Sequence, residues 1–278
     1  MNTSKVWFVT GASKGLGLSL VKKLIENGGR VTATSRTIQS LIDAVGSFSE
    51  QQFLPLEVDL TDEKSIDKAF KKTVAHFGKI DVLVNNAGYG IGGAVEELNQ
   101  KEIKDSFDIN VMAVIKTMQD VMPFFKNQKS GNIINISSIA GFAPGIGWAV
   151  YAATKYAVTG LSEVMAEDVK EFGVKVTVVS PGAFRTEFLE DSSIVFAENK
   201  IKEYNAVRVS HEKYAAMNGT QAGDPEKLAQ VLIDLAENPN PPIRLYLGSD
   251  AYNRAKGKVE LLSEELQSNK DISFFTDF

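Results

Sequence analysis

The chain has 278 residues, 44% hydrophobic and 23% charged, the balance of a soluble globule large enough for a full α/β domain. A net charge of −5 gives no basic field for nucleic acid or an anionic membrane surface. Zero cysteines exclude disulfides and thiolate chemistry, and the two histidines, His76 and His211, lie too far apart in sequence to suggest a zinc site, so no metal is expected.

No apolar run approaches the ~20 residues needed to span a bilayer. The first one, at residues 6–9, lies too close to Met1 for a leader peptide, and the chain reads as cytoplasmic. Candidate strands follow at 5–10, 30–35, 53–58, 80–84, 132–137, 174–180 and 243–247. Several, such as Val82–Leu83–Val84, are apolar without alternation, as suits strands covered on both faces. Helical patterns lie between them at 16–27, 62–77, 100–127, 151–172 and 225–237. Regular β-α alternation predicts α/β architecture with a doubly wound parallel sheet, a Rossmann fold in one domain over 1–278.

Two stretches break the rhythm. Residues 187–223 show no clear strand and mix apolar side chains with charges, the character of a substrate lid or of helices packed on the sheet edge. The extension 249–278 looks helical through 263–268 and ends in Phe274, Phe275 and Phe278; it either packs on a neighbouring subunit or covers its own core.

The turn TGASKGLG, residues 10–17, joins the first strand to the first helix. Glycines there permit a tight turn and close backbone approach to a pyrophosphate, which the free N–H groups of the helix N-terminus attract. The spacing of Gly11, Gly15 and Gly17 is not the usual dinucleotide fingerprint. NAD sites carry an acid after the second strand, about 20 residues beyond the turn. Here Ser35 is followed by Arg36, and Lys14 adds a second cation from the turn. That pair suits a 2′-phosphate, so NADP(H) is expected in preference to NAD(H).

Tyr151 and Lys155 stand four residues apart on a predicted helix and so share a face. A cation about 4 Å from a phenol, at an effective dielectric near 20, favours the phenolate by ~4 kcal/mol. At about 1.36 kcal/mol per pKa unit, that brings the phenol toward neutrality, where it serves as a general acid or base on a carbonyl or alcohol.

TGASKGLG, NNAG at 85–88, Ser138, YAATK at 151–155 and PGAFRT at 181–186 occur in order, and with them the stretch 5–248 resembles the short-chain dehydrogenase/reductase family. The resemblance implies a sheet of roughly seven parallel strands and a nucleotide seat formed by Gly11, Ser13, Lys14, Gly15, Leu16, Gly17, Ser35 and Arg36. It implies that Asp59 and Leu60 meet the adenine, that Asn86, Ala87 and Gly88 line the adenosine ribose, and that Pro181, Gly182 and Thr186 face the nicotinamide. Ser138 would polarise the carbonyl, Tyr151 pass the proton, Lys155 tune it and bind ribose, and Asn110 hold a relay water through a local bend in its helix.

Relatives pair the helices at 100–127 and 151–172 across a two-fold axis, implying a homodimer or homotetramer. Val111, Val114 and Met118 suit such an interface or packing on the sheet. The expected partner is a small, hydrophobic carbonyl or alcohol substrate, with His211 on the surface and Trp148 and Phe142 either on the substrate wall or in the core. Two other readings use the same fold: an NADP-sensing regulator without turnover, and an epimerase or dehydratase that reduces its cofactor transiently. The complete set of Ser138, Tyr151 and Lys155 speaks against the first, and the glycine spacing against the second.

Overall fold

The computed structural model describes residues 5–190 and 193–278. Its strands are β1 (Val6–Val9), β2 (Arg30–Ser35), β3 (Phe53–Glu57), β4 (Val82–Asn85), β5 (Gly90–Gly92), β6 (Gly131–Ile136), β7 (Val174–Pro181), β8 (Ile194–Phe196) and β9 (Arg244–Leu247). Seven of them form one parallel sheet in the order β3-β2-β1-β4-β6-β7-β9. Strand order reverses between β1 and β4, and the crevice beyond their carboxyl ends is where such sheets bind ligands.

The helices are α1 (Gly15–Glu26), α2 (Ile38–Val45), α3 (Glu63–Phe77), α4 (Gln100–Phe107), α5 (Ala113–Gln128), α6 (Ala149–Asp168), α7 (Asn205–Ala216), α8 (Pro225–Glu237), α9 (Ser249–Ser268) and α10 (Lys270–Phe274). Side chains alternate along β1, so Trp7 and Val9 meet α1, α2 and α8 on one face while Phe8 meets α3, α5 and α6 on the other. Phe8 stacks on Phe70 at 4.3 Å between ring centres. Val114 and Met118 lie in that second core, and Val111 is buried as well, so these side chains pack within their own protomer.

The structure departs from the sequence reading in four places. The helix expected as one element over 100–127 is divided by a π-helical turn at Asp108–Met112, at the place where the resemblance implied a local bend around Asn110. A short helix, α2, follows Arg36 where none was read. The stretch 187–223 does hold a strand: β8 pairs in parallel with β5, with Ile91 opposite Val195. Its residues 191 and 192 lie outside the described residues. The extension begins as helix directly after Gly248, and only Ala251 and Ala255 of α9 are buried, against Ile139. Among the described residues no helix is long and apolar enough to cross a membrane.

Candidate active site

The carboxyl ends of β1, β2, β4, β6 and β7 border a single cleft of about 1330 Å³. Gly11 adopts φ +63° at its floor, and a Cβ there would stand 2.7 Å from Ala87 Cα. A Cβ on Gly17 would stand 2.5 Å from Asn86 Nδ2. Glycine is therefore required twice, by a backbone angle and by close approach. Asn86 explains the closeness: its Nδ2 donates to the carbonyls of Thr10 (3.0 Å) and Gly11 (2.9 Å). The Thr10 hydroxyl in turn accepts from the Asn86 and Ala87 amides at 3.0 and 3.1 Å. The NNAG segment thus braces the glycine turn from the neighbouring strand.

Ser13, Lys14, Gly15 and Leu16 border the same cleft, as do Ser35 and Arg36 at the end of β2. Burial lowers the Lys14 ammonium from its ordinary value, and the nearby Arg36 guanidinium lowers it further. Two cations so close mark the place where an anionic group would be most welcome. Asp59 and Leu60 close this end of the cleft. Asp59 is held below the usual carboxylate range by hydrogen bonds from the Thr61 hydroxyl (2.7 Å) and amide (2.8 Å).

At the N-terminus of α1 the Gly15 amide donates to a carboxylate oxygen of Glu187 at 3.2 Å. An acid seated there shows that the turn accepts an anionic oxygen. The glycine cradle, the paired cations and this amide together fit a dinucleotide phosphate.

The other end of the cleft gathers Ser138, Tyr151 and Lys155. Ser138 caps a 3-10 turn at Ile139–Gly141, its hydroxyl accepting from the Ala140 amide at 3.1 Å. Tyr151 and Lys155 point from the first turns of α6 and are 8% and 4% exposed. The Lys155 ammonium donates to the Ile136 carbonyl at 3.0 Å and lies 5.8 Å from the centre of the Tyr151 ring.

The expectation of an acidic phenol does not hold for the protein's own groups. Burial pushes Tyr151 up to about 12, against a smaller downward pull from the Ser138 hydroxyl. Burial also brings Lys155 down to about 8. Burial governs both shifts, because each group loses water in the packed site.

Asn110 and Gly17 lie behind the cleft wall rather than on it. Asn110 sits in the π-helical turn, which frees its side chain to clamp Tyr89: Nδ2 donates to the Tyr89 carbonyl (2.9 Å) and Oδ1 accepts from the Tyr89 amide (3.0 Å). A Cβ on Gly88 would stand 3.0 Å from Asn110 Oδ1 and 3.4 Å from Lys155 Nζ, so Gly88 keeps the path between them open. Pro181, Gly182 and Thr186 border the cleft from the loop after β7. That loop is tied down by Asp250 of α9, which accepts from the Ala183 amide at 2.8 Å.

Other expectations are corrected. His211 is buried, not on the surface; its Nε2 meets the Gly147 carbonyl at 3.0 Å and its ring lies 5.1 Å from that of Trp148. Burial lowers its pKa. Trp148 both borders the cleft and is buried, whereas Phe142 packs on Tyr246 away from it.

A profile described as short chain dehydrogenase matches residues 5–194. Oxidoreductase BOA17 of Botryotinia fuckeliana is 34% identical over 271 residues, covering 97% of this chain and 98% of that protein. The chain belongs to the short-chain dehydrogenase family. A crystal structure of a short-chain dehydrogenase from Streptomyces avermitilis superposes with a TM-score of 0.91 at 34% identity, covering 99% of each chain. ElxO, solved with NADP bound, has a TM-score of 0.74 at 26% identity, covering 90% of this chain and 99% of that one.

Within this short-chain dehydrogenase, the cleft residues that escaped the sequence reading include Glu187, Tyr214, Gln221 and Asp250. Glu187 directly follows the PGAFRT motif, and Tyr214 continues the helical spacing of Val207 and His211, so both carried a signal. Gln221 carried none, yet its side chain is buried with neither nitrogen nor oxygen paired among the described residues.

Proposed function

We propose that the protein is an NADP(H)-dependent oxidoreductase acting on a carbonyl/secondary alcohol pair, with a hydrophobic ketone or alcohol as substrate. The carrying observation is the union, in one cleft, of Ser138, Tyr151 and Lys155 with a glycine turn flanked by Lys14 and Arg36. Bound there, the nicotinamide would supply or accept hydride. Gly11, Ser13, Lys14, Gly15, Leu16, Ser35 and Arg36 would hold its phosphates, Asp59 and Leu60 the adenine, and Asn86, Ala87 and Gly88 the adenosine ribose. Pro181, Gly182 and Thr186 would border the nicotinamide.

The chain's own residues then do the proton work. A phenol pushed up to about 12 remains protonated at neutral pH and stands ready as the acid for carbonyl reduction. Ser138 donates a hydrogen bond to the same substrate oxygen, where negative charge grows. Lys155 holds positive charge beside the phenol as its proton leaves, and binds ribose. Asn110 fixes the Tyr89 backbone and would hold the relay water beside Lys155, the route by which protons return. Residues 187–223 form the lid over the substrate, whose apolar lining favours an apolar ligand. The reading includes a cytoplasmic setting and a homodimer or homotetramer.

Tyr151→Phe should lower carbonyl reduction by about 10²–10⁴-fold while NADPH affinity stays within a few-fold of wild type. Initial rates followed by NADPH absorbance, with affinity from NADPH fluorescence, test this; a Phe variant that keeps most of its activity removes the assignment. Arg36→Asp should cut the ratio of kcat/KM for NADPH over NADH by about 10- to 100-fold, the loss of one or two charge-assisted hydrogen bonds. An unchanged ratio would separate Arg36 from cofactor choice.

A further inference from the structure

Single exposed apolar side chains are ordinary on any protein surface, but several of them bordering one cleft give it an apolar mouth. Ile146, Phe188, Val195 and Val209 are 61%, 36%, 44% and 65% exposed, and all four border the cleft that holds Tyr151. They come from four different elements, of which the loop of Ile146 and the helix of Val209 are bonded directly. The Ser210 hydroxyl donates to the Ile146 carbonyl at 2.8 Å, fixing the loop before α6 against the helix that carries Val209. Val195 is held on β8 by its pairing with β5. Phe188 links this rim to the chemistry, its ring centre 6.2 Å from that of Tyr151. Behind the rim Trp148 and Ile194 are buried and continue the apolar wall inward.

We infer that the substrate carries a long unbranched apolar chain, which leaves the cleft across Ile146, Phe188, Val195 and Val209 while its carbonyl lies at Ser138 and Tyr151. The inference rests on the reading above and narrows its substrate class from hydrophobic carbonyl compounds to chain-bearing ones. A compact ring ketone would fill the inner cleft and leave the four rim side chains in water. A chain covers them, and each methylene moved from water to an apolar surface contributes about 0.8 kcal/mol at most, a factor of up to about four.

The test is a series of methyl ketones from butan-2-one to dodecan-2-one, scored as kcat/KM with NADPH. The value should rise about two- to fourfold per methylene beyond hexan-2-one. In Val209→Ser and Ile146→Ser, both exposed positions, the rise should flatten, with the loss growing with chain length and smallest for butan-2-one. A wild-type series that is flat beyond hexan-2-one, or rim variants that keep the wild-type slope, would overturn the inference. Calorimetry of the matching 2-alkanols with Tyr151→Phe reads tail binding without turnover. If no ketone reacts yet alkanol affinity still climbs with length and falls in Val209→Ser, the proposed reaction fails and the chain site stands. Alkanol affinity independent of length removes the chain site whatever the rates.

Discussion

Lys155 and Tyr151 share a helical face as their spacing requires, yet water loss governs both. The ammonium donates to the Ile136 carbonyl, and burial holds it near 8, well within reach of assay buffers. Below that value it is charged and can stabilise a departing phenol proton; above it, the charge is gone. The kcat/KM for NADPH, which reports the free enzyme, should therefore be flat from pH 6 to about 8 and then fall about tenfold per unit. Tyr151, pushed up to about 12, adds no limb in that range. Initial rates across pH 6–10 check this, and a profile flat to pH 10 would mean the Lys155 charge is not required.

Two elements carry devices that single residues do not. The π-helical turn at Asp108–Met112 inserts a bend between α4 and α5 and so delivers Asn110 to the Tyr89 backbone; π-bulges of this kind often lie at functional sites. The N-terminus of α1 accepts the Glu187 carboxylate, from the segment read as a lid. A phosphate entering that position must displace an acid worth about 0.3–1 kcal/mol at a helix N-terminus. Glu187→Gln should therefore lower the Kd for NADPH about two- to fivefold, read by NADPH fluorescence titration. Unchanged or weaker affinity would show that Glu187 does not compete for the seat.

Across the whole molecule, of the two places that suit Val111, Val114 and Met118, an interface or the sheet, the structure gives them the protomer's own interior. Val111, Val114 and Met118 are buried, whereas Met112 in the π-helical turn and Val164 on α6 stand 55% and 63% exposed. In the proposed dimer or tetramer, a neighbour pairing these helices would cover exposed apolar side chains such as these. The protein should have a dimeric or tetrameric mass by light scattering, and Val164→Glu should halve it, since an uncompensated charge in an apolar contact is costly. A monomeric mass for the wild-type chain at micromolar concentration rejects the assembly. The extension covers its own core only with Ala251 and Ala255 of α9, and Val259, Leu266 and Phe275 remain exposed, the side chains that packing on a neighbouring subunit would use.

Local chemistry wrote much of this into the chain. The β-α alternation, the glycine turn and the i,i+4 placement of Tyr151 and Lys155 depend on neighbours a few residues away, and the parallel sheet and shared cleft agree with them. What the sequence could not decide were properties that arise when distant segments meet. Glu187 reaches Gly15, Asp250 ties the loop after β7, and His211 withdraws into an aromatic cluster. The direction of the Tyr151 and Lys155 shifts belongs to the same class: spacing sets which charges are neighbours, but only the packed tertiary structure sets how much water they lose.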